Sequence, residues 1–301
     1  MDRYLDVRVE VAAAMATGRP VVALESTVYA HGLPYPVNLE AAAAMEAAVR
    51  DEGAVPATIG ILRGRAIVGL TSDEIEELAT SPGVAKVSVR DIAPVITARL
   101  PGATTVAATA AIATRVSIPV MATGGIGGVH RGGETSLDVS ADLHELARSP
   151  IAVVCAGAKS VLDLPRTLEA LETLGVPIVG FGTDEFPAFY SVESGIPLEH
   201  RVDDPADVAM ILEIQAALNR AQGVLVVQPP PADDAIPLVD VDEWIEEAVD
   251  EAERSGVVGK AVTPFLLERV SRSSEGRSVR ANVGLLESNA RLAARIAGAL
   301  G

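Results

Sequence analysis

Aromatic residues are scarce in this chain, 3% of 301 positions with a single Trp, while small aliphatic side chains abound. Such composition suits helices stacked on a sheet that is buried on both faces. There is one cysteine, Cys155, so no disulfide can form within the chain, which fits a reducing compartment. Basic residues are also short: 24 Lys and Arg face 41 Asp and Glu, a formal net charge of -17. A nucleic-acid polymer is thereby excluded as partner, because a phosphate backbone demands basic surface. A small phosphorylated substrate is not excluded, since a few local cations and backbone amides suffice for it. Four histidines, His31, His130, His144 and His200, show no H-x-x-x-H spacing, which speaks against zinc. No uncharged apolar run reaches the roughly 18 residues of a membrane span. The opening MDRYLDVRVEV is acidic where a signal peptide has its apolar core. The expectation is a cytoplasmic protein with no membrane partner.

Against these absences stands a regular alternation of β-branched apolar runs with Ala- and Glu-rich stretches. Strands are predicted at 20–24, 58–62, 65–68, 86–89, 119–122, 151–155, 177–180 and 223–227. Between them, helices are predicted at 38–52 (capped by Asn38 and ended at Gly53), from Thr71, at 104–114, 139–147, 162–174, 204–221, 241–255 and 282–300. Arg63-Gly64 resembles a hairpin turn, and the Pro-rich stretch 229–237 is the best candidate linker. The pattern predicts an α/β fold, a three-layer α/β/α arrangement with a mixed, largely parallel sheet. Sites in such folds gather at the carboxyl ends of strands.

Several apolar runs stop abruptly at polar chemistry there. Residues 22–24 lead into Glu25-Ser26-Thr27, residues 120–122 into Thr123 and the run GGIGG, and residues 153–155 into Ala156-Gly157-Ala158-Lys159. Two readings fit Lys159: a desolvated amine with a lowered pKa acting as nucleophile, or a lysine that reaches solvent or pairs with a phosphate. Glu25 is open in the same way: a general acid held protonated by an apolar rim, or a turn cap or arginine partner. The glycine run offers backbone amides to an anion, though a plain tight turn explains it equally, and its spacing is not a dinucleotide fingerprint. The segment at 256–260 is no P-loop, since Ala261 follows Lys260. Glu134, Asp138 and Asp142 recur every fourth residue; they read as a shared helix face with hard oxygen ligands, or as a solvated acidic helix start. Cys155 and Trp244 read as packing.

These segments also carry a family resemblance. ALEST at 23–27, HGLPYP at 31–36, ATGGIGGVHRG at 122–132, DVSADL at 138–143, VVCAGAKS at 153–160, TDEFPA at 183–188 and GKAVTPFLL at 259–267 occur in order along nearly the whole chain. In them the chain resembles the pseudouridine-5′-phosphate glycosidases, or pseudouridylate synthases, of the indigoidine synthase A-like group. The resemblance implies one domain over residues 1–301. It implies Lys159 as the Schiff-base nucleophile, Glu25 as proton donor, and Asp138 as the residue associated with Mn²⁺ or another divalent cation. It further implies substrate contacts at Lys86, Val106, Ser140, Ala141, Asp142 and Asn282, and a homotrimer. The implied reaction is reversible cleavage of the C–C glycosidic bond of pseudouridine 5′-phosphate to uracil and ribose 5-phosphate. Two rivals share some of these residues: another Schiff-base phosphosugar lyase, and a non-catalytic sugar-phosphate binding protein.

Overall fold

A computed structural model describes residues 3–133, 137–257 and 262–301. In chain order the elements are β1 (Leu5–Val7), α1 (Val9–Ala16), β2 (Val21–Leu24), a π-helical turn (Val28–Gly32), α2 (Val37–Asp51), β3 (Val55–Leu62) and β4 (Arg65–Val68). Next come α3 (Ser72–Thr80), β5 (Ala85–Val87), a 3₁₀ turn (Val89–Asp91), α4 (Ile92–Ala98), β6 (Gly102–Thr104), α5 (Val106–Arg115) and β7 (Val120–Ala122). They are followed by α6 (Ala141–Leu146), β8 (Ala152–Cys155), α7 (Leu164–Thr173), β9 (Ile178–Phe181) and β10 (Arg201–Val202). The chain closes with α8 (Pro205–Ala217), β11 (Val224–Val227), α9 (Leu238–Arg254), α10 (Val262–Ser273) and α11 (Arg277–Ala299).

The sheet runs β1-β4-β3-β2-β7-β8-β11-β9-β10, with β6 beside β3 and β5 beside β6. Among the described strands the β3–β4 and β3–β6 pairings are antiparallel; the other strand neighbours are parallel. The expected α/β class and mixed, mostly parallel sheet are thus observed. β2, β3, β7, β8 and β11 are buried along their entire lengths. Both faces are therefore covered, which is why these runs are continuous in Val, Ile, Leu and Ala rather than alternating. The hairpin turn is real: Arg63 and Gly64 both take positive φ, 55° and 77°. A two-residue connection matching the strand twist requires that. No helix of the described residues is long and apolar enough to cross a membrane.

The sheet connections reverse between two adjacent strands. From β2 the chain proceeds to β3 on one side, whereas β7 leads to β8 on the other. Loops leaving these two carboxyl ends diverge and open a crevice between them. Register aligns the ends: Leu24 lies opposite Ala122, and Ala122 opposite Val154.

Several local expectations are corrected. Asn38 does not cap its helix: α2 begins at Val37 after Pro36, and the buried Asn38 amide donates to the Tyr29 carbonyl at 2.9 Å. The helix expected at 139–147 is shorter and is capped by Ser140. Asp138 therefore lies outside it, beside Val139, which bridges to Val129. Asp138 and Asp142 share no helical face, and Glu134 lies outside the described residues. The 229–237 stretch is no free linker: Ile236 is buried, its amide donates to the Tyr190 carbonyl, and its own carbonyl accepts from the Ser191 hydroxyl.

Candidate active site

Glu25 is the first residue beyond β2 and is 4% exposed. Its carboxyl group accepts a hydrogen bond from the hydroxyl of Thr123, the first residue beyond β7. Burial pushes the Glu25 pKa up; Lys159 nearby, the Thr123 hydroxyl and Lys86 oppose that rise, and the Asp142 carboxylate adds to it. Desolvation wins, so Glu25 holds its proton beyond the ordinary carboxylate range.

Lys159 reaches the same place from β8. After Cys155 the chain turns at Gly157, with φ of 85°. The Ile126 amide then donates to the Gly157 carbonyl, and the Lys159 amide to the Ile126 carbonyl, each at 3.0 Å. These bonds clamp the turn onto the glycine run and present a half-buried Lys159 side chain beside Glu25. A Cβ at Gly157 would stand 2.3 Å from the Pro187 carbonyl oxygen, on backbone already in the left-handed region. Gly157→Ala is therefore expected to destabilise the protein by about 2–4 kcal/mol, measured by denaturant unfolding. An unchanged midpoint would show that the turn relaxes freely. Cys155, though close by, is fully buried, and burial pushes its thiol up to about 12. It supplies no thiolate to compete with Lys159.

Glu25 and Lys159 line one cavity of about 730 Å³, together with Lys86, Val106, Asp138, Ser140, Ala141 and Asp142. The smaller recess beneath it is lined by Glu25, Lys86, Thr123, Lys159 and Asn282. Apart from Glu134, outside the described residues, those singled out for a site role line one or other of these two cavities, which share Glu25, Lys86 and Lys159. Lys86 comes from the middle of β5, Val106 from the first turn of α5, and Asn282 from the inner face of α11. The carboxylate of Asp142 is already engaged: one oxygen accepts from the Ala107 amide at 2.9 Å and the other from the Gly127 amide at 2.7 Å. It ties the start of α5 to the glycine run, where the positive helix end favours it.

The glycine run is packed rather than bare. A Cβ at Gly125 would fall 2.6 Å from the Phe189 ring, one at Gly127 2.3 Å from Ser140 Oγ, and one at Gly128 2.3 Å from Thr167 Oγ1. Close approach explains these glycines, and the amides of Ile126 and Gly127 go to protein acceptors. Residues that sequence reasoning gave no role also line the cavity. His130 stands with Nδ1 4.0 Å from an Asp138 oxygen. Burial lowers its pKa, Asp138 opposes this, and Lys86 and Lys159 reinforce it. Thr123, His31 and Phe189 line the smaller recess instead, and of these Thr123 stands at a strand end.

Among the described residues no group of three or more His, Cys, Asp or Glu side chains is placed to hold a metal ion. One carboxylate at the cavity wall, Asp138, with His130 near it, fits a hard cation that retains most of its water.

A buried acid, a lysine and a cavity at a topological switch point define an α/β enzyme acting on a small polar molecule. Comparison with known proteins gives the lineage. The family described as "Indigoidine synthase A like protein" matches residues 10–299. A pseudouridine-5′-phosphate glycosidase of Caldanaerobacter subterraneus subsp. tengcongensis is 50% identical over 99% of this chain and 97% of its own length. One of Paracoccus denitrificans is 54% identical over 97% of this chain and 96% of its own. Among solved structures, the prealnumycin C-glycosynthase AlnA in complex with ribulose 5-phosphate superposes with a TM-score of 0.92 at 43% identity, over 100% of this chain and 98% of that one. An indigoidine synthase A-like protein from Thermotoga maritima superposes with a TM-score of 0.90 at 38% identity, over 98% of this chain and 95% of that one. The chain belongs to the indigoidine synthase A-like family.

Proposed function

We propose that this enzyme is a pseudouridine-5′-phosphate glycosidase, cleaving the C–C bond between C1′ of ribose 5-phosphate and C5 of uracil, and forming it in reverse. The carrying observation is that Lys159 and Glu25, a carboxyl group whose pKa burial raises, share one cavity. The names of the relatives support the substrate, and the ribulose 5-phosphate in AlnA supports a sugar phosphate.

An ordinary glycosidase expels oxygen or nitrogen between two carboxylates. Here the leaving atom is carbon, which departs poorly as a carbanion. It needs a proton delivered to C5 and an electron source at C1′. Lys159 Nζ bonds to C1′ as the C1′–O4′ bond breaks, and O4′ takes up a proton. Glu25 protonates C5. The Nζ lone pair then forms C=N as the C1′–C5 bond breaks, releasing uracil. Water hydrolyses the imine, freeing ribose 5-phosphate and Lys159. Lys86 supplies positive charge for the 5′-phosphate, and Val106, Ser140, Ala141, Asp142 and Asn282 shape the walls. Asp138, through water, would hold Mn²⁺ or a similar cation, which when bound supplies positive charge to orient ligand oxygens.

Incubation with pseudouridine 5′-phosphate should release free uracil; binding without release would favour the non-catalytic rival, and lyase activity on other phosphosugars alone would favour the other. Chelation should lower turnover and added Mn²⁺ restore it, with Asp138→Ala needing about ten-fold or more extra metal. Indifference of both proteins to chelator would remove the metal from the account. A homotrimer is the expected assembly, read by light scattering.

A further inference from the structure

Two buried polar atoms of residues that line the smaller recess have no hydrogen-bond partner among the described residues: His31 Nε2 and Asn282 Oδ1. Both residues line that recess together with Glu25 and Lys159. Buried polar atoms are nearly always satisfied, so an orphan facing a cavity marks a contact completed by a ligand. The chemical character of each atom says what kind of ligand group completes it.

Asn282 Oδ1 is an amide oxygen and can only accept. His31 lies in the last residues of the π-helical turn, with its ring against the backbone of Ala85 and Val84, which favours the protonated ring. Burial and the nearby Lys86 charge keep the ring pKa below its ordinary value despite that backbone. A neutral imidazole that directs its one N–H at that backbone leaves Nε2 as an acceptor. A third wall is flat and apolar. Phe189, 2% exposed, presses its ring on Gly125 and meets Tyr190 edge-on at 4.6 Å between centroids. Phe189 holds φ of 61°, and its amide donates to the Ala156 carbonyl at 3.1 Å. A bulky residue in that conformation is strained and persists only where its surroundings fix it.

Two acceptors beside an aromatic wall, in a recess that the proton donor also lines, match a planar ring carrying two N–H groups remote from the carbon to be protonated. A C5-linked uracil has that layout: N1–H and N3–H flank C2, on the side of the ring away from C5. Resting on the glycosidase reading above, we propose that His31 is a specificity-determining contact, whose Nε2 accepts one ring N–H of the uracil while Asn282 accepts the other. The consequence is discrimination at the level of the linkage. A uracil joined to ribose through N1 has lost one of the two donors, and cytosine presents an acceptor at N3; each would leave a buried acceptor unpaired.

The test runs the reaction as synthesis, from ribose 5-phosphate with uracil, 1-methyluracil or 3-methyluracil, each keeping C5 free. The wild-type enzyme should prefer uracil to either methylated base by about 100-fold or more in kcat/KM. His31→Ala should lose about 10–100-fold with uracil. It should also relax the preference over one methylated base by at least about ten-fold while leaving the other intact. His31→Gln, whose amide oxygen can accept the same hydrogen, should recover part of the uracil rate, and thermal melts of each variant report on folding. Equal use of all three bases by the wild type, or both ratios unchanged in a folded His31→Ala, would overturn the assignment while leaving the glycosidase standing. Failure of the wild-type enzyme to condense even uracil with ribose 5-phosphate would reject the glycosidase itself, and this contact with it.

Discussion

Replacing Lys159 by Ala is expected to lower turnover of pseudouridine 5′-phosphate by on the order of 10⁴-fold or more, because Lys86, the other amine lining the cavity, is taken up by the 5′-phosphate in this account. The buried Cys155 thiol has its pKa pushed up to about 12 and cannot substitute. The fold should survive, since the contacts that build the turn run through the Lys159 backbone rather than its side chain. A second variant separates covalency from charge. Lys159 is the leading influence opposing the burial-driven rise in the Glu25 pKa. Lys159→Arg keeps a positive charge there, but guanidinium stays protonated and forms no imine. Both variants should therefore be equally inactive, while only Lys159→Ala should shift the titration of Glu25 further upward. An active Lys159→Arg enzyme would mean that position 159 acts by charge alone.

Glu25→Gln is the second large effect. Glutamine keeps the shape and can still accept from Thr123, but it cannot deliver a proton to carbon. Turnover should fall by about 10²–10⁴-fold, while the ribose 5-phosphate adduct on Lys159 still forms. The pH dependence has a definite sign. Cleavage uses the protonated form of Glu25, so the rate should fall as pH rises through its elevated pKa, and this limb should vanish in Glu25→Gln. Stability follows the same proton. The folded state binds it more tightly than the unfolded chain, so that contribution is present at low pH and is lost as pH rises through the folded-state pKa. Glu25→Gln, neutral throughout, should melt above the parent protein at alkaline pH and converge with it toward about pH 4. Parallel melting curves across that range would show that Glu25 is not desolvated in solution.

Which parts of this site could be read from sequence follows from how each residue is brought there. Glu25, Thr123 and Lys159 each stand where an apolar β-run breaks off, and a parallel sheet places such breaks on one rim. Lys86 carries no such signal, because it sits inside β5; the family resemblance alone implies its role. Asn282 reaches the recess only because the buried face of α11 packs against β2, β7 and β8, a contact between distant parts of the chain. His31 was set aside for want of metal-ligand spacing, yet its place depends on a π-helical turn that no local pattern announces. Phe189 depends on a positive φ in a residue that does not favour it. The acidic spacing of Asp138 and Asp142 misled for a different reason. The Ser140 hydroxyl caps a new helix between them and breaks the period on which a shared face would rest. The glycine run was legible as a special backbone, though its reason is the close approach of Phe189, Ser140 and Thr167 rather than a bare nest of amides.

The most direct measurement is chemical trapping. The sequence contains three lysines, Lys86, Lys159 and Lys260. Incubation with ribose 5-phosphate and borohydride, followed by peptide mass analysis, should place a reduced sugar-phosphate amine on Lys159 alone and abolish activity in proportion. Full turnover with no trapped sugar, or a sugar fixed to Lys86 or Lys260 instead, would contradict the covalent account of this cavity.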